Sequence, residues 1–151
     1  MSTYTATVRW SAKSGEDYRK GQYSRAHEWA FDGGAVVPAS ASPHIVPPPW
    51  SDAAGVDPEE AFVAALSSCH MLFFVDFARR AGFVLDSYVD EAEGVMDKNA
   101  AGKMAMTLVT LRPRLSWSGE PPSAEQIAEL HHRAHEACFI ANSVTTKVTI
   151  E

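Results

Sequence analysis

Cysteine is scarce in this chain, two residues in 151. That is too few for a disulfide framework, and they lack paired zinc-ligand spacing, so they are either inert core residues or a redox pair. Basic charge is also short, with 13 Lys and Arg against 19 Asp and Glu, a net charge of −6. No dense cationic block supplies the attraction to phosphate that nucleic-acid binding needs. The opening residues Met1-Ser2-Thr3-Tyr4-Thr5-Ala6 have no basic stretch, apolar core and small-residue cleavage site, so a cytoplasmic protein is expected. The longest apolar run, Ala61 to Val75, contains Ser67, Ser68 and His70 and ends at Asp76, short of the roughly 20 residues that span a bilayer. A buried helix is expected there, and no membrane contact. There is no internal repeat.

What is present suits one globular domain over residues 1–151, with 46% apolar and 21% charged residues and enough chain to bury a core. Tyr4, Ala6, Val8 and Trp10 fall on one face of an alternating stretch, which predicts a half-buried strand over Thr3 to Trp10. Ser11 to Gly21 should turn. A second strand, Tyr23 to Phe31, stops at Asp32-Gly33-Gly34, where the glycines allow a hairpin. Pro43, Pro47, Pro48 and Pro49 make Ala39 to Val56 an extended connector.

Asp57-Pro58-Glu59-Glu60 combines an N-cap, a proline at the first helical position, two acids at the positive helix end and a capping-box acid in Glu60. The helix it opens should run to about Ala81, closed by Arg79, Arg80 and Gly82, a length of roughly 35 Å. Its middle is apolar on nearly every side, so a single sheet would leave it under-buried and a partner subunit is expected. Phe83 to Met96 and Met104 to Trp117 should pair as long antiparallel strands around the loop Asp97 to Lys103. Ser123 and Gln126 form a second capping box, opening a helix with Ile127, Leu130, Ala134 and Cys138 on one face, and Thr145 to Glu151 reads as a closing strand. The order makes an α+β chain.

Cys69 sits mid-helix on the face of Phe62, Ala65 and Phe73, and Cys138 at the inner-face end of the second helix. Both thiols therefore point into the core from separate helices; spacing alone does not bring them together. His70 follows Cys69 by about 100° and should pack away from the sulfur. His131 should be a hydrogen-bonded core histidine, and His132 should face water.

The run Val56-Asp57-Pro58-Glu59-Glu60-Ala61-Phe62-Val63-Ala64-Ala65-Leu66-Ser67-Ser68-Cys69-His70 resembles the first-cysteine helix of the OsmC/Ohr family. Ala134-His135-Glu136-Ala137-Cys138, followed by Ala141-Asn142-Ser143, is similar to its second-cysteine segment. The resemblance implies an OsmC-like fold, an intertwined homodimer with the cysteine helices at its centre, and reduction of organic hydroperoxides at the expense of an external dithiol or lipoylated protein. It implies no bound cofactor and no metal. Cys69 would be the attacking thiolate and Cys138 the resolving thiol. The family's site arginine and glutamate match Arg25 and Glu59, with Arg9 and Arg19 as other candidates for the arginine. A guanidinium beside Cys69 would favour its thiolate. Glu59 and Cys69 are about 15 Å apart along one helix, so an antiparallel partner helix is the expected way for a Glu59 to approach the opposite Cys69. Phe139 departs from the proline that many relatives carry after the second cysteine. Two other readings stay open: a redox sensor or apolar-ligand binder of the same fold, and a zinc hydrolase built on His131, His135 and Cys138.

Overall fold

The computed structural model describes residues 1–151, which group into two compact units, Met1–Ala61 and Phe62–Glu151.

The N-terminal unit carries a three-stranded antiparallel sheet in the order β1 (Thr7–Arg9), β2 (His27–Ala30) and β3 (Val36–Ala39). The hairpin between β2 and β3 is the one the glycines predict, with Phe31 N–H donating to Ala35 O and Gly34 at φ +92°. The first strand departs from expectation. Only three residues of the Thr3 to Trp10 stretch pair, all three exposed, and Tyr4 is 92% exposed. An edge strand takes its partner on one side only, and alternation does not say whether anything lies over its apolar face. Trp10 instead donates its indole N–H to Ser24 O at 2.9 Å and sits beside the rings of Tyr18 and Tyr23. The connector after Ala39 holds no helix and returns along β3, where Val56 N–H reaches Pro38 O at 2.9 Å.

Helix α1 (Pro58–Arg80) starts and stops where its local chemistry says. Glu60 N–H donates to Asp57 Oδ1 at 2.8 Å and Asp57 N–H to Glu60 Oε2 at 3.1 Å, closing the capping box. At the other end Gly82 takes φ +89°, with Phe83 N–H on Ala78 O and Gly82 N–H on Arg79 O, the paired bonds of a Schellman turn. By length and composition α1 could cross a bilayer. Within this chain only its stripe of Leu66, His70, Phe74 and Ala78 is fully buried.

The C-terminal unit adds a long antiparallel ribbon folded into two segments. β4 (Val84–Asp90) pairs with β7 (Pro113–Ser118), and β5 (Glu93–Lys98) with β6 (Met104–Leu111). The two predicted extended runs are thus each interrupted once. Asp90 explains the break: its carboxylate accepts the backbone N–H of Arg112 at 2.6 Å, at the one residue separating β6 from β7, and also the hydroxyl of Ser67 on α1. α2 (Ala124–Ala137) opens with the predicted Ser123 and Gln126 capping box. β8 (Lys147–Ile150) lies parallel to β6, with Val148 opposite Val109.

Two apolar clusters result. Phe74, Ala78, Leu130 and Ala134 join α1 to α2 with Tyr88, Leu115 and Trp117 packed around them; Leu66, Val109 and Leu111 join α1 to β6 and β8. The fold class is α+β, with two helices and mainly antiparallel strands.

Candidate active site

The capping bonds fix where α1 begins, and with it which residues face inward. Cys69, next to the buried stripe, is partly buried. Cys138 ends α2 as its C-cap, at φ −63° and ψ 112°, and is only 1% exposed. It thus stands just beyond the last helical residue, continuing the inward face of Leu130 and Ala134. The two free thiols are close enough for Cys69 to raise the pKa of Cys138, so tertiary packing brings together two residues that the sequence sets far apart.

Cys138 is enclosed by its own chain. Burial pushes its thiol pKa up; the backbone N–H groups of Ala141 and Ile140 pull it back, and the neighbouring Cys69 raises it further. The Ala141 N–H lies 3.4 Å from the sulfur. Asn142 N–H donates to Cys138 O at 3.0 Å, the Asn142 side chain to Glu136 O at 3.1 Å, and the Ser143 hydroxyl to Phe139 O at 2.6 Å. The Ala141-Asn142-Ser143 segment therefore works as a clamp on the backbone around Cys138. A buried thiol fed by backbone donors is suited to closing on a partner sulfur rather than meeting solvent.

Behind the thiols lies a histidine pair. His70 Nε2 and His131 Nδ1 are 2.9 Å apart with their rings nearly parallel, and His131 stacks on Phe74 with 4.2 Å between centroids. His70 does point away from the sulfur beside it, toward α2. Burial lowers both pKa values to about 4; the charges of His131 and His135 add to the effect at His70, while Asp90 opposes it at His131. Both rings are therefore neutral at ordinary pH. His70 Nδ1 and the Tyr88 hydroxyl are buried without partners. Sequence reasoning anticipated a bonded His131 but missed its partner, and it missed the Ser67 to Asp90 contact. The available signal was the spacing of Ser67 and His70 on one turn of α1. His132 is exposed, and His131 and His135 border an open groove of about 750 Å³ between α2, β7 and β8. No three His, Cys, Asp or Glu side chains converge as a metal ion would require, so the zinc reading built on His131, His135 and Cys138 finds no ligand set.

Arg25 and Glu59 lie in the N-terminal unit. The Arg25 guanidinium donates to Gly21 O at 2.8 Å and Tyr23 O at 2.6 Å, and its central carbon lies 3.6 Å above the Tyr23 ring. Those contacts fix the side chain's conformation and leave it partly buried. The other two arginines are exposed: Arg9 pairs with Glu28 at 2.9 Å, and Arg19 sits on the single helical turn Tyr18–Lys20. Glu59 is half-buried in the first turn of α1, where Glu60 makes the capping bond. Asp76 is occupied at the surface by Arg79 and Arg80, at 2.7 and 2.8 Å.

The family model described as OsmC-like protein matches residues 51–151. The chain belongs to the OsmC-like family. An OsmC-like protein of unknown function from Vibrio cholerae is 53% identical over 100% of this chain and 99% of its own, with a TM-score of 0.98. The organic hydroperoxide resistance protein OhrB of Bacillus subtilis shares the fold at 21% identity, over 98% of this chain and 97% of its own, with a TM-score of 0.64. So does an organic hydroperoxide resistance protein OsmC of Legionella pneumophila, at 16% identity over 100% and 96% and a TM-score of 0.68. No curated protein matches. The OsmC-like fold is thus common to this chain and to proteins named for peroxide resistance.

Proposed function

We propose that this chain is a thiol-dependent peroxidase that reduces organic hydroperoxides to alcohols. The observation that carries the reading is the meeting of the Cys69 and Cys138 thiols, one partly accessible and the other buried and backbone-clamped.

The Cys69 thiolate attacks the terminal oxygen of the hydroperoxide and breaks the O–O bond. The alkoxide takes a proton and leaves as an alcohol, while Cys69 becomes a sulfenic acid. Cys138 then condenses with it, forming the disulfide and releasing water. An external dithiol, free or carried as a lipoyl group on a protein, restores both thiols by exchange. Arg25 would favour the Cys69 thiolate and steady the departing oxygen. Glu59 would orient Arg25, in its own subunit's site or its partner's. A homodimer is part of this reading, supported by the apolar surface that α1 leaves open at Leu72 and Val75. The working compartment would be the cytoplasm, whose reducing poise keeps both cysteines available.

Steady-state reduction of an organic hydroperoxide with dihydrolipoamide, comparing wild type with Cys69→Ser and Cys138→Ser, tests the reading. Turnover should vanish without Cys69. Without Cys138 it should stall after one turn, with Cys69 trapped as a sulfenic acid or a mixed disulfide. Wild type that consumes peroxide only stoichiometrically, with no recycling by any dithiol, would point instead to a redox sensor of the same fold.

A further inference from the structure

Phe139 follows the buried Cys138 yet is 70% exposed. Its position is determinate. The Ser143 hydroxyl holds its carbonyl, and its ring meets Phe73 edge-on at 5.0 Å and 80°. Phe73 lies one turn past Cys69 on the same side of α1, and Phe77 continues the row 5.9 Å beyond. Phe139 follows Cys138 in sequence and Phe73 lies one helical turn from Cys69, so the ring pair joins the two segments that carry the thiols. The rings form a right-angled aromatic corner, one ring held by a helix and the other by the clamped segment 138–143.

We propose that this corner determines substrate choice, so that Phe139 selects hydroperoxides carrying an aryl group next to the peroxide-bearing carbon. This rests on the peroxidase reading above and adds the substrate class to it. A planar ring entering such a corner stacks in an offset manner on one phenyl and meets the other edge-on, the two geometries aromatic pairs favour. A compact aliphatic group makes neither contact. Burying the substrate ring also removes the exposed face of Phe139 from water, which a smaller group does only in part. In this role Phe139 touches only the organic group of the substrate and takes no part in proton or electron transfer.

The experiment compares kcat/KM for cumene hydroperoxide with that for tert-butyl hydroperoxide in wild type, Phe139→Leu and Phe139→Tyr. In parallel, calorimetry or NMR measures equilibrium binding of the unreactive alcohol 2-phenyl-2-propanol to the same three proteins. The aryl-to-alkyl ratio should fall roughly threefold to tenfold in Phe139→Leu, the range expected for losing one aromatic pair, and return in Phe139→Tyr. Binding of the aryl alcohol should weaken in step. A ratio that Phe139→Leu leaves unchanged, or an aryl alcohol that binds wild type and Phe139→Leu equally, overturns the proposal. Should wild type show no turnover while aryl binding still depends on Phe139, the peroxidase reading fails and the aromatic corner stands as a ligand site.

Discussion

The two faces of α1 have nearly the same amino-acid character and opposite fates. On one, Leu66, His70, Phe74 and Ala78 are each at most 1% exposed, between α2 and the strands of the C-terminal unit. On the other, Ala64, Ala65 and Ser68 are exposed, with Leu72 at 62% and Val75 at 40%. Helical periodicity cannot separate them, because both repeat every three or four residues. What separates them is the presence or absence of a neighbouring element, and within one chain only the first face has one. The inner face makes the protomer fold; the outer face is where the proposed second copy would pack.

The largest break from a single substitution should come from Phe74→Ala. Phe74 is wholly buried and stacked on His131, and its loss leaves a cavity expected to cost about 3–5 kcal/mol in chemical denaturation. Next is acid. His70 and His131 have folded pKa values lowered by burial from 6.5 to about 4. Below pH 6.5 the unfolded chain takes up protons that the folded one refuses, so stability is full above that pH and falls between pH 6.5 and about 4. The slope should approach about 1.4 kcal/mol per pH unit for each histidine. Unfolding free energies measured across that window would show it, and a double His70→Gln, His131→Gln variant should flatten the dependence.

A smaller effect is expected at Gly94, where an added Cβ would come within 2.5 Å of Val63 and of the end of Met106. Gly94→Ala should destabilise by about 1–3 kcal/mol, since the Val63 side chain has no free torsion beyond χ1 with which to yield. Smallest of all for the protomer is Leu72→Ala, within about 0.5 kcal/mol if the outer face meets only water. Equilibrium sedimentation gives the contrast its sharpest form: Leu72→Arg should shift a dimer toward monomer while leaving the protomer's circular dichroism intact. An unaltered assembly would remove this face from the dimer contact.

What the sequence disclosed depended on how far apart the interacting groups are. Both ends of α1 and the start of α2 were legible, because a capping box or a Schellman turn is written within six residues. The β2 to β3 turn was legible for the same reason. The short, exposed β1 was not, since alternation reports a preference and not whether anything covers the strand. The interruption of the ribbon at Asp90 depends on Arg112 and Ser67, each more than twenty residues away, and local pattern is blind to such bonds. At the site, a family resemblance singled out Cys69, Cys138, Arg25 and Glu59, and spacing could not say that the thiols meet. The His70 to His131 bond joins two helices whose docking no local signal encodes. Phe139 stood out only as a departure from a pattern, and its partnership with Phe73 needed coordinates.

The parallel pairing of β8 with β6 also bears on how the protein is made. The last strand synthesised must settle beside one completed long before, a nonlocal step that closes late. Cys138 and its clamp directly precede β8, so Cys69 is made well before the thiol proposed to resolve it. A peroxide reaching such a nascent chain would oxidise the Cys69 thiol to a sulfenic acid with nothing to condense with, open to irreversible further oxidation by a second peroxide. On the proposed peroxidase reading, protection of Cys69 against overoxidation begins only when Cys138 has been made and clamped beside it.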